Sequence, residues 1–305
     1  MGLTAAVYVK FGQPHHVQWT SAFSEGLMRH GIRVKTLNYQ PEKVEDADFH
    51  VFWAMKASKV IRHCHEMGQP IVCLDRGYTD DRMYFTSINL NGLNGMSELD
   101  VSDFSQDSSR CEMHGWRIKE RKILGENIII SGQVAGDASL GGINIYDWVD
   151  AQVSALNAAG LGDKVFFKPH PLEETEHYPR IQSVQARRLG MDCSMDDAYE
   201  LARLFLTYSS TVGANAWLNG VPALAASSTS MIFRDQFGDN TPRARQEWLN
   251  RISFRQFSEE EFSSGFAWEL LANRIIGKAP ARKLEAASLP HQPLVERAKN
   301  LGLFA

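Results

Sequence analysis

Only four cysteines occur in 305 residues, Cys64, Cys73, Cys111 and Cys193, and no two of them form a C-x-x-C pair. That scarcity excludes a disulfide-framed secreted domain and fits reduced thiols in a cytosolic compartment. No apolar run approaches the roughly 20 residues that span a bilayer. The opening MGLTAAVYVKFGQ lacks the apolar length and the flanks of a secretory signal. A soluble, cytoplasmic protein is the expectation. Charge of one sign is also lacking: 32 basic against 36 acidic residues leave a net charge of −4, with no global pull toward nucleic acid or an anionic membrane. Internal repeats and low-complexity segments are absent. No H-x-x-x-H or mixed Cys/His ligand spacing occurs. His63 and His65 stand two apart on an expected helix and so do not share a face. His15 and His16 are adjacent and are expected at the surface or in a crevice. No metal site is expected.

What is present is an alternation of short apolar runs with helical patterns. The segments 5–9, 32–39, 48–54 and 70–75 read as strands; 17–31, stopped by Gly31, and 58–67 read as helices. The stretch 79–117, rich in Asn, Ser, Asp and Gly, is less regular. The alternation restarts with a strand at 126–131, a helix at 146–159, a strand at 164–168 and a helix at 178–190. A strand at 202–208, a helix at 211–220 and a strand at 222–226 follow. Strands alternating with helices and few hairpin signals predict parallel sheets with helices on both faces. In the tail, Thr241-Pro242 reads as a cap followed by proline at the first helical position. Ser258 with Glu261 three residues later reads as a capping box. The expected fold is α/β, with two Rossmann-like domains over 1–125 and 126–240. Helices over 241–305 are expected to pack across both.

In open parallel sheets ligands bind beyond the carboxyl ends of strands, and the unusual residues fall there. GQVAGDAS (132–139) follows one strand, KPHP (168–171) another and SSTVG (209–213) a third. Ser209 and Ser210 close a strand and open a helix; either one of them simply caps the helix, or the turn presents amides to an anion such as phosphate. Gly213 would let that turn approach a ligand closely. His170, held between two prolines, either donates to a phosphate, ribose or base, or bonds to backbone carbonyls in a rigid turn. The glycine-rich loop matches neither G-x-G-x-x-G nor a Walker A pattern. Asp75 ends the strand at 70–75, where a carboxylate serves either as a general base or as a turn cap. Arg76, Asp80, Asp81 and Arg82 beyond it fit a solvated loop with internal salt bridges.

In order and wording, GQVAGDASL, FFKPHP and TYSSTVGANAWLNGVPAL resemble the motifs of capsule-polysaccharide glycosyltransferases, including the β-Kdo transferases. Those carry a GQV-x-x-D-x-S loop, a K-P-H-P motif and a serine-rich strand end followed by G-x-x-A-x-x-x-G-x-P. The His-Pro and Ser-Ser pairs also resemble bacterial sialyltransferases, which share the two-domain GT-B arrangement. LDRGYTDDRMYFTSINLNGLNGMS (74–97) is similar to the capsule family's acidic-x-G-Y/F segment and its later G-x-N-G, so the resemblance spans roughly 70–230.

The resemblance implies a GT-B-like fold. It places His170, Ser209 and Ser210 on the nucleotide and phosphate of a sugar donor. Gly132, Gln133, Asp137, Ser139, Lys168, Thr211 and Gly213 belong to the same motifs and would line that pocket. Asp75 matches the acidic residue suspected of deprotonating the acceptor. The implied activity is a metal-independent glycosyltransferase, without a cofactor beyond its substrate. It would move a sugar from a CMP- or UDP-linked donor to a hydroxyl, most suitably on a saccharide. Two rivals stand beside it. A phage-type glycosyltransferase acting on a hydroxylated DNA base would use the tail, where Arg243, Arg245, Arg251 and Arg255 interleave with Trp248, Phe254 and Phe257; such a mixture can bind phosphates and stack on bases. A non-catalytic nucleotide-sugar-binding protein would need the donor motifs alone.

Overall fold

The computed structural model describes residues 2–55, 57–79, 83–121, 123–172, 187–190, 192–237, 241–278 and 294–303. Asp80, Asp81 and Arg82, and the part of the expected helix 178–190 that precedes 187, lie outside the described residues. β1 (Thr4–Val9) is buried almost throughout, as a near-continuous apolar strand inside a parallel sheet must be. Its alternate residues serve two cores. Ala5, Val7 and Val9 face Trp19, Phe23 and Leu27 of α1 (Pro14–Arg29). Ala6 and Tyr8 turn to the other core, with Val60 and Cys64 of α2 (Ser58–Met67). Between and beyond these helices run β2 (Arg33–Asn38), β3 (Phe49–Trp53) and β4 (Ile71–Arg76). β5 (Thr86–Leu90) and α3 (Ser109–His114) complete the first stretch.

A second set follows: β6 (Asn127–Ser131), α4 (Ile145–Ala158), β7 (Val165–Lys168), β8 (Arg187–Arg188) and α5 (Met195–Leu201), then β9 (Ala202–Thr207), α6 (Val212–Leu218), β10 (Ala223–Ala225) and α7 (Pro242–Ser253). The last described elements are β11 (Gln256–Phe257), α8 (Glu259–Ser263), α9 (Phe266–Ile275) and α10 (Leu294–Asn300). The chain divides into two units, Met1–Gly115 with Leu249–Glu285, and Trp116–Trp248 with Ala286–Ala305.

The first unit's sheet runs β11-β5-β4-β3-β1-β2. β2, β1, β3 and β4 are parallel, while β5 is antiparallel to β4 and β11 to β5. The sequence reading of a wholly parallel sheet is corrected here. β5, TSINL, was part of the irregular stretch because its polar residues hide the strand pattern; Thr86, Ser87 and Asn89 are fully buried. Phe257, Phe262, Trp268, Leu271 and Ile275, from the returning segment, sit in the same core as β1 and α1.

The second unit's sheet, β10-β9-β6-β7-β8, is parallel throughout. Arg187 and Arg188 form its edge strand rather than the end of a helix, pairing with Phe166 and Phe167. Ile128, Ile130, Leu204 and Leu206 pack against Trp148, Val149, Val153 and Leu156 of α4. Two local signals set α5: Ser194 and Asp197 form a reciprocal capping box. The expected box at Ser258 and Glu261 is present at α8, and Thr241 Oγ1 accepts from Ala244 N at 3.2 Å. The four cysteines are free, and Cys64, Cys73 and Cys111 are buried. Among the described residues no helix is long and apolar enough to cross a membrane.

Candidate functional site

Strand order creates the site in the second unit. From β6 the chain crosses through α4 to β7 on one side, whereas β9 lies on β6's other side and leads through α6 to β10. The connections after β6 and β9 therefore diverge, and a crevice opens where they part, beyond the strands' carboxyl ends. Gly132 and Gln133 follow β6, and Ser209 and Ser210 follow β9.

Gln133, Ser139 and Ser209 meet in that crevice, all less than a tenth exposed. Gln133 Nε2 donates to Ser139 Oγ at 2.6 Å and to Ser209 Oγ at 2.9 Å. Gln133 Oε1 accepts from Ser209 N at 3.3 Å, and the two serine hydroxyls stand 3.1 Å apart. Asp137 shapes the loop from its exposed end, its Oδ1 accepting from Ser139 N at 2.8 Å and from Ser139 Oγ at 2.7 Å. A fourth strand end, not singled out in the sequence, joins them. Thr229, shortly after β10, donates through Oγ1 to the Ser139 carbonyl at 2.9 Å, and its hydroxyl is 2.8 Å from Ser227 Oγ. The signal was the run Ser227-Ser228-Thr229-Ser230 directly after a short apolar strand.

β7 delivers His170. Leu172 N donates to His170 Nδ1 at 3.1 Å. Nδ1 is thereby the acceptor, and in the neutral ring the proton sits on Nε2. The prolines and this bond together fix both the path of the chain and the tautomer. Gly132 lies against the same turn: its amide donates to the Lys168 carbonyl at 2.8 Å, and a Cβ there would come within 3.1 Å of His170 N. Gly132, Gln133, Tyr146, Phe167 and His170 border a narrow cleft here, too tight to admit a water molecule. The buried Lys168 ammonium lies 3.5 Å from the Gly190 carbonyl. A larger cavity of about 400 Å³, lined by Lys119, Arg121, Gly220, Pro222 and Arg245 among others, lies by the amino end of β10, at the opposite end of the strands from Gln133 and Ser209.

The turn after β9 is more occupied than its sequence suggests. Ser210 N donates to Thr207 Oγ1 at 3.1 Å, and Ser210 Oγ accepts from Val212 N at 3.3 Å, so Ser210 caps α6. Thr211 is half-buried and already helical in its backbone. The space beside Gly213 is taken by Ile232 and Thr207, each 3.0 Å from where a Cβ would stand. The glycine serves packing within the unit.

Asp75 lies in the first unit, at the end of β4, half-buried. Its Oδ1 accepts from Arg76 N at 2.9 Å and its carbonyl from Ser87 Oγ at 3.2 Å. The Gly77-Tyr78 turn beyond it is pinned by Gln256, whose Oε1 accepts from Tyr78 N at 2.7 Å. Tyr78 OH donates to Asn89 Oδ1 at 3.1 Å, and Arg255 bonds Asn89, Asn94 and Tyr78. Burial pushes the Tyr78 phenol up, and the nearby Asp75 charge adds to that rise.

The arginine- and aromatic-rich tail is core rather than a stacking surface. Trp248, Phe254 and Phe257 are at most 4% exposed; Trp248 Nε1 donates to the Met231 carbonyl at 3.2 Å, and Phe254 stacks on Phe104 with centroids 4.0 Å apart. These rings have no free face for a base. Among the described residues no group of three or more His, Cys, Asp or Glu side chains is placed to hold a metal ion.

No protein-family model matches the chain, and no curated protein sequence matches it. Among solved structures it is similar to Thermosulfurimonas dismutans KpsC, beta Kdo 2,4 transferase, with a TM-score of 0.48 and 14% identity over 74% of this chain and 80% of that one. It is also similar to Thermosulfurimonas dismutans KpsC, beta Kdo 2,7 transferase, with a TM-score of 0.48 and 12% identity over 89% of this chain and 99% of that one.

Proposed function

We propose that the protein is a glycosyltransferase of GT-B type that moves a sugar from a CMP- or UDP-linked donor to a hydroxyl group of a saccharide. The observation that carries this reading is the meeting of Gln133, Ser139 and Ser209 at the strand-order switch of the second sheet, beside His170 on the next strand. Three motifs far apart in the chain converge on one crevice of the kind that binds nucleotides, in the order in which the capsule-type transferases carry them.

In this reading the second unit holds the donor and the first presents the acceptor. The acceptor hydroxyl gives its proton to the Asp75 carboxylate. Its oxygen attacks the anomeric carbon in a direct displacement as the bond from that carbon to the phosphate oxygen breaks. His170 donates from Nε2 to the departing phosphate, whereas the Ser209 and Ser210 amides are spent on Gln133 and Thr207. Positive potential for the leaving group is thus assigned to protein groups, and the nucleotide sugar is substrate rather than cofactor.

The DNA-modifying alternative loses its main support with the burial of Trp248, Phe254 and Phe257. A non-catalytic nucleotide-sugar binder differs in its use of Asp75, which it would not need. The test is a thermal-shift panel of CMP-, UDP-, GDP- and CDP-linked sugars, followed by product analysis with the donor that binds. A shift with a CMP- or UDP-linked donor that His170→Asn weakens supports the reading; no shift with any nucleotide sugar overturns it.

A further inference from the structure

The first sheet has a switch of its own. β1 leads through α1 to β2 on one side, and β3 leads through α2 to β4 on the other. The ends of β1 and β3 are therefore the place in the first unit where a crevice is expected. The side chains gathered there are not those of an ordinary helix start. His15 and His16, at the beginning of α1, contact each other edge to face with centroids 4.7 Å apart. Trp53, the last residue of β3, lies 5.2 Å from His15 and 5.4 Å from His16. Tyr39, just past β2, lies 6.0 Å from His16, and the Arg76 guanidinium stands 5.7 Å from the Trp53 ring.

Two observations point to a ligand. His16 is 9% exposed, and its buried Nδ1 has no hydrogen-bond partner. A buried polar atom left unpaired is costly to the fold, and here it lies among rings at a strand-order switch. Next to Trp53, Ala54 holds a φ of 56°. An L-alanine adopts that left-handed backbone at a cost, and it turns the chain at the end of β3. The same corner is rich in cations, with Lys10 and Arg76 near the imidazoles. Burial first holds both imidazoles low; Arg76 adds to it at His15, and His15, Lys10 and Arg76 add to it at His16. A neutral imidazole both donates and accepts, which matches a hydroxyl.

We infer that His15, His16, Trp53 and Arg76 form a second ligand site, confined to the first unit, that takes the polyhydroxylated ring of the acceptor saccharide. His15, half-buried, meets the sugar hydroxyls; His16 backs it and pairs its Nδ1 when the site is filled. Arg76 follows Asp75 in β4, so both residues stand at the carboxyl end of the same strand, with their side chains on opposite faces of the sheet. The inference rests on the transferase reading for the ligand's role as acceptor, but binding itself is measurable without turnover.

The full chain carrying ¹³Cε1-labelled histidine gives ten imidazole signals at most, one per histidine. His15→Ala, His16→Gln and His170→Asn assign the three of interest. The probes are methyl pyranosides (neutral, N-acetylated and carboxylated) and, separately, CMP and UDP. The expected result is a saturable shift of the His15 and His16 signals with at least one pyranoside and none with either nucleotide. His15→Ala, at a half-exposed position, should weaken that binding at least tenfold with an unchanged melting temperature. If no pyranoside moves the two signals, or if a nucleotide moves them instead, the site is not a saccharide site. The His170 signal answers separately for the donor: its movement with CMP or UDP, while His15 and His16 stay still with every pyranoside, would sink this inference and leave the transferase reading standing. The reverse pattern would do the opposite.

Discussion

Gln133 and Ser209, 76 residues apart in the chain, bond each other through both ends of the Gln133 amide, Nε2 to the serine Oγ at 2.9 Å and Oε1 from the serine amide at 3.3 Å. That exchange ties the loop after β6 to the turn after β9 across the crevice. Gln133 thus acts as a strut that sets the spacing of the two loops. Gln133→Ala should leave the Ser139 and Ser209 hydroxyls short of a buried partner and cost about 1–3 kcal/mol. Urea denaturation measures that cost. Nucleotide affinity, measured at a temperature where the variant is folded, should fall further than this loss of stability implies.

His170→Asn separates the two jobs of the imidazole. An asparagine Oδ1 can still accept from Leu172 N in an Asx turn, but nothing replaces the donor at Nε2. The melting temperature should hold within a degree or two, while kcat falls by about 10²-fold or more, as for loss of one donor to a developing anion. Equal loss of kcat and of folding would show that the residue is structural.

Asp75→Asn retains an oxygen for Arg76 N and removes the base. Donor binding should be unchanged and transfer should fall by about 10²–10⁴-fold. Transfer at the wild-type rate would remove Asp75 from the mechanism.

Arg110 is 2% exposed and pairs with Glu261 through both guanidinium ends, while also donating to the Ser253 and Gln256 carbonyls at 2.9 and 2.8 Å. Burial alone would raise the Glu261 pKa; the Arg110 hydrogen bond and charge outweigh it and hold the carboxyl low. Arg110→Met should cost about 3–5 kcal/mol, because it strands a buried carboxylate. Since the folded carboxyl lies below its unfolded value, the contribution is present above about pH 4.5 and is lost as pH falls through the folded value. Urea midpoints of the wild type and variant should therefore converge in acid.

His16 titrates at about 4 instead of 6.5, chiefly through burial, with His15, Lys10 and Arg76 adding to it. Between those values the unfolded chain takes up a proton that the folded chain refuses. Stability is complete above pH 6.5 and declines toward pH 4, by at most about 3–4 kcal/mol from this residue at roughly 1.4 kcal/mol per pH unit. His16→Gln should flatten that slope; an unchanged slope would assign it to other groups.

Much of this was legible from the chain. The strands β1, β3, β4, β6, β7 and β9 follow apolar runs that are largely buried, and pattern alone finds such runs, whereas β2, at the edge of its sheet, is partly exposed along its length. The strand-end motifs were visible because serine, glycine and His-Pro are out of place directly after those runs. β5 was not visible, because Ser87 and Asn89 are buried and satisfied by Asp75, Tyr78 and Arg255, partners that only the folded chain supplies. Nor does any local pattern tell a histidine at a helix start that it will be buried against Trp53. The same limit applies to Ser210, whose amide and hydroxyl are both engaged within its own turn.

The first unit's core includes Phe257, Phe262, Trp268 and Leu271, from well over a hundred residues beyond Gly115. On the ribosome, then, the residues up to 115 emerge without the edge strand and helices that seal their sheet, and must wait until the whole of Trp116–Trp248 has been made. Through that interval β5 has no β11 on its open side, a bare strand edge of the kind that invites mispairing. The protein's exposure to chaperones should accordingly be set by translation through its middle rather than by the final stability of either unit.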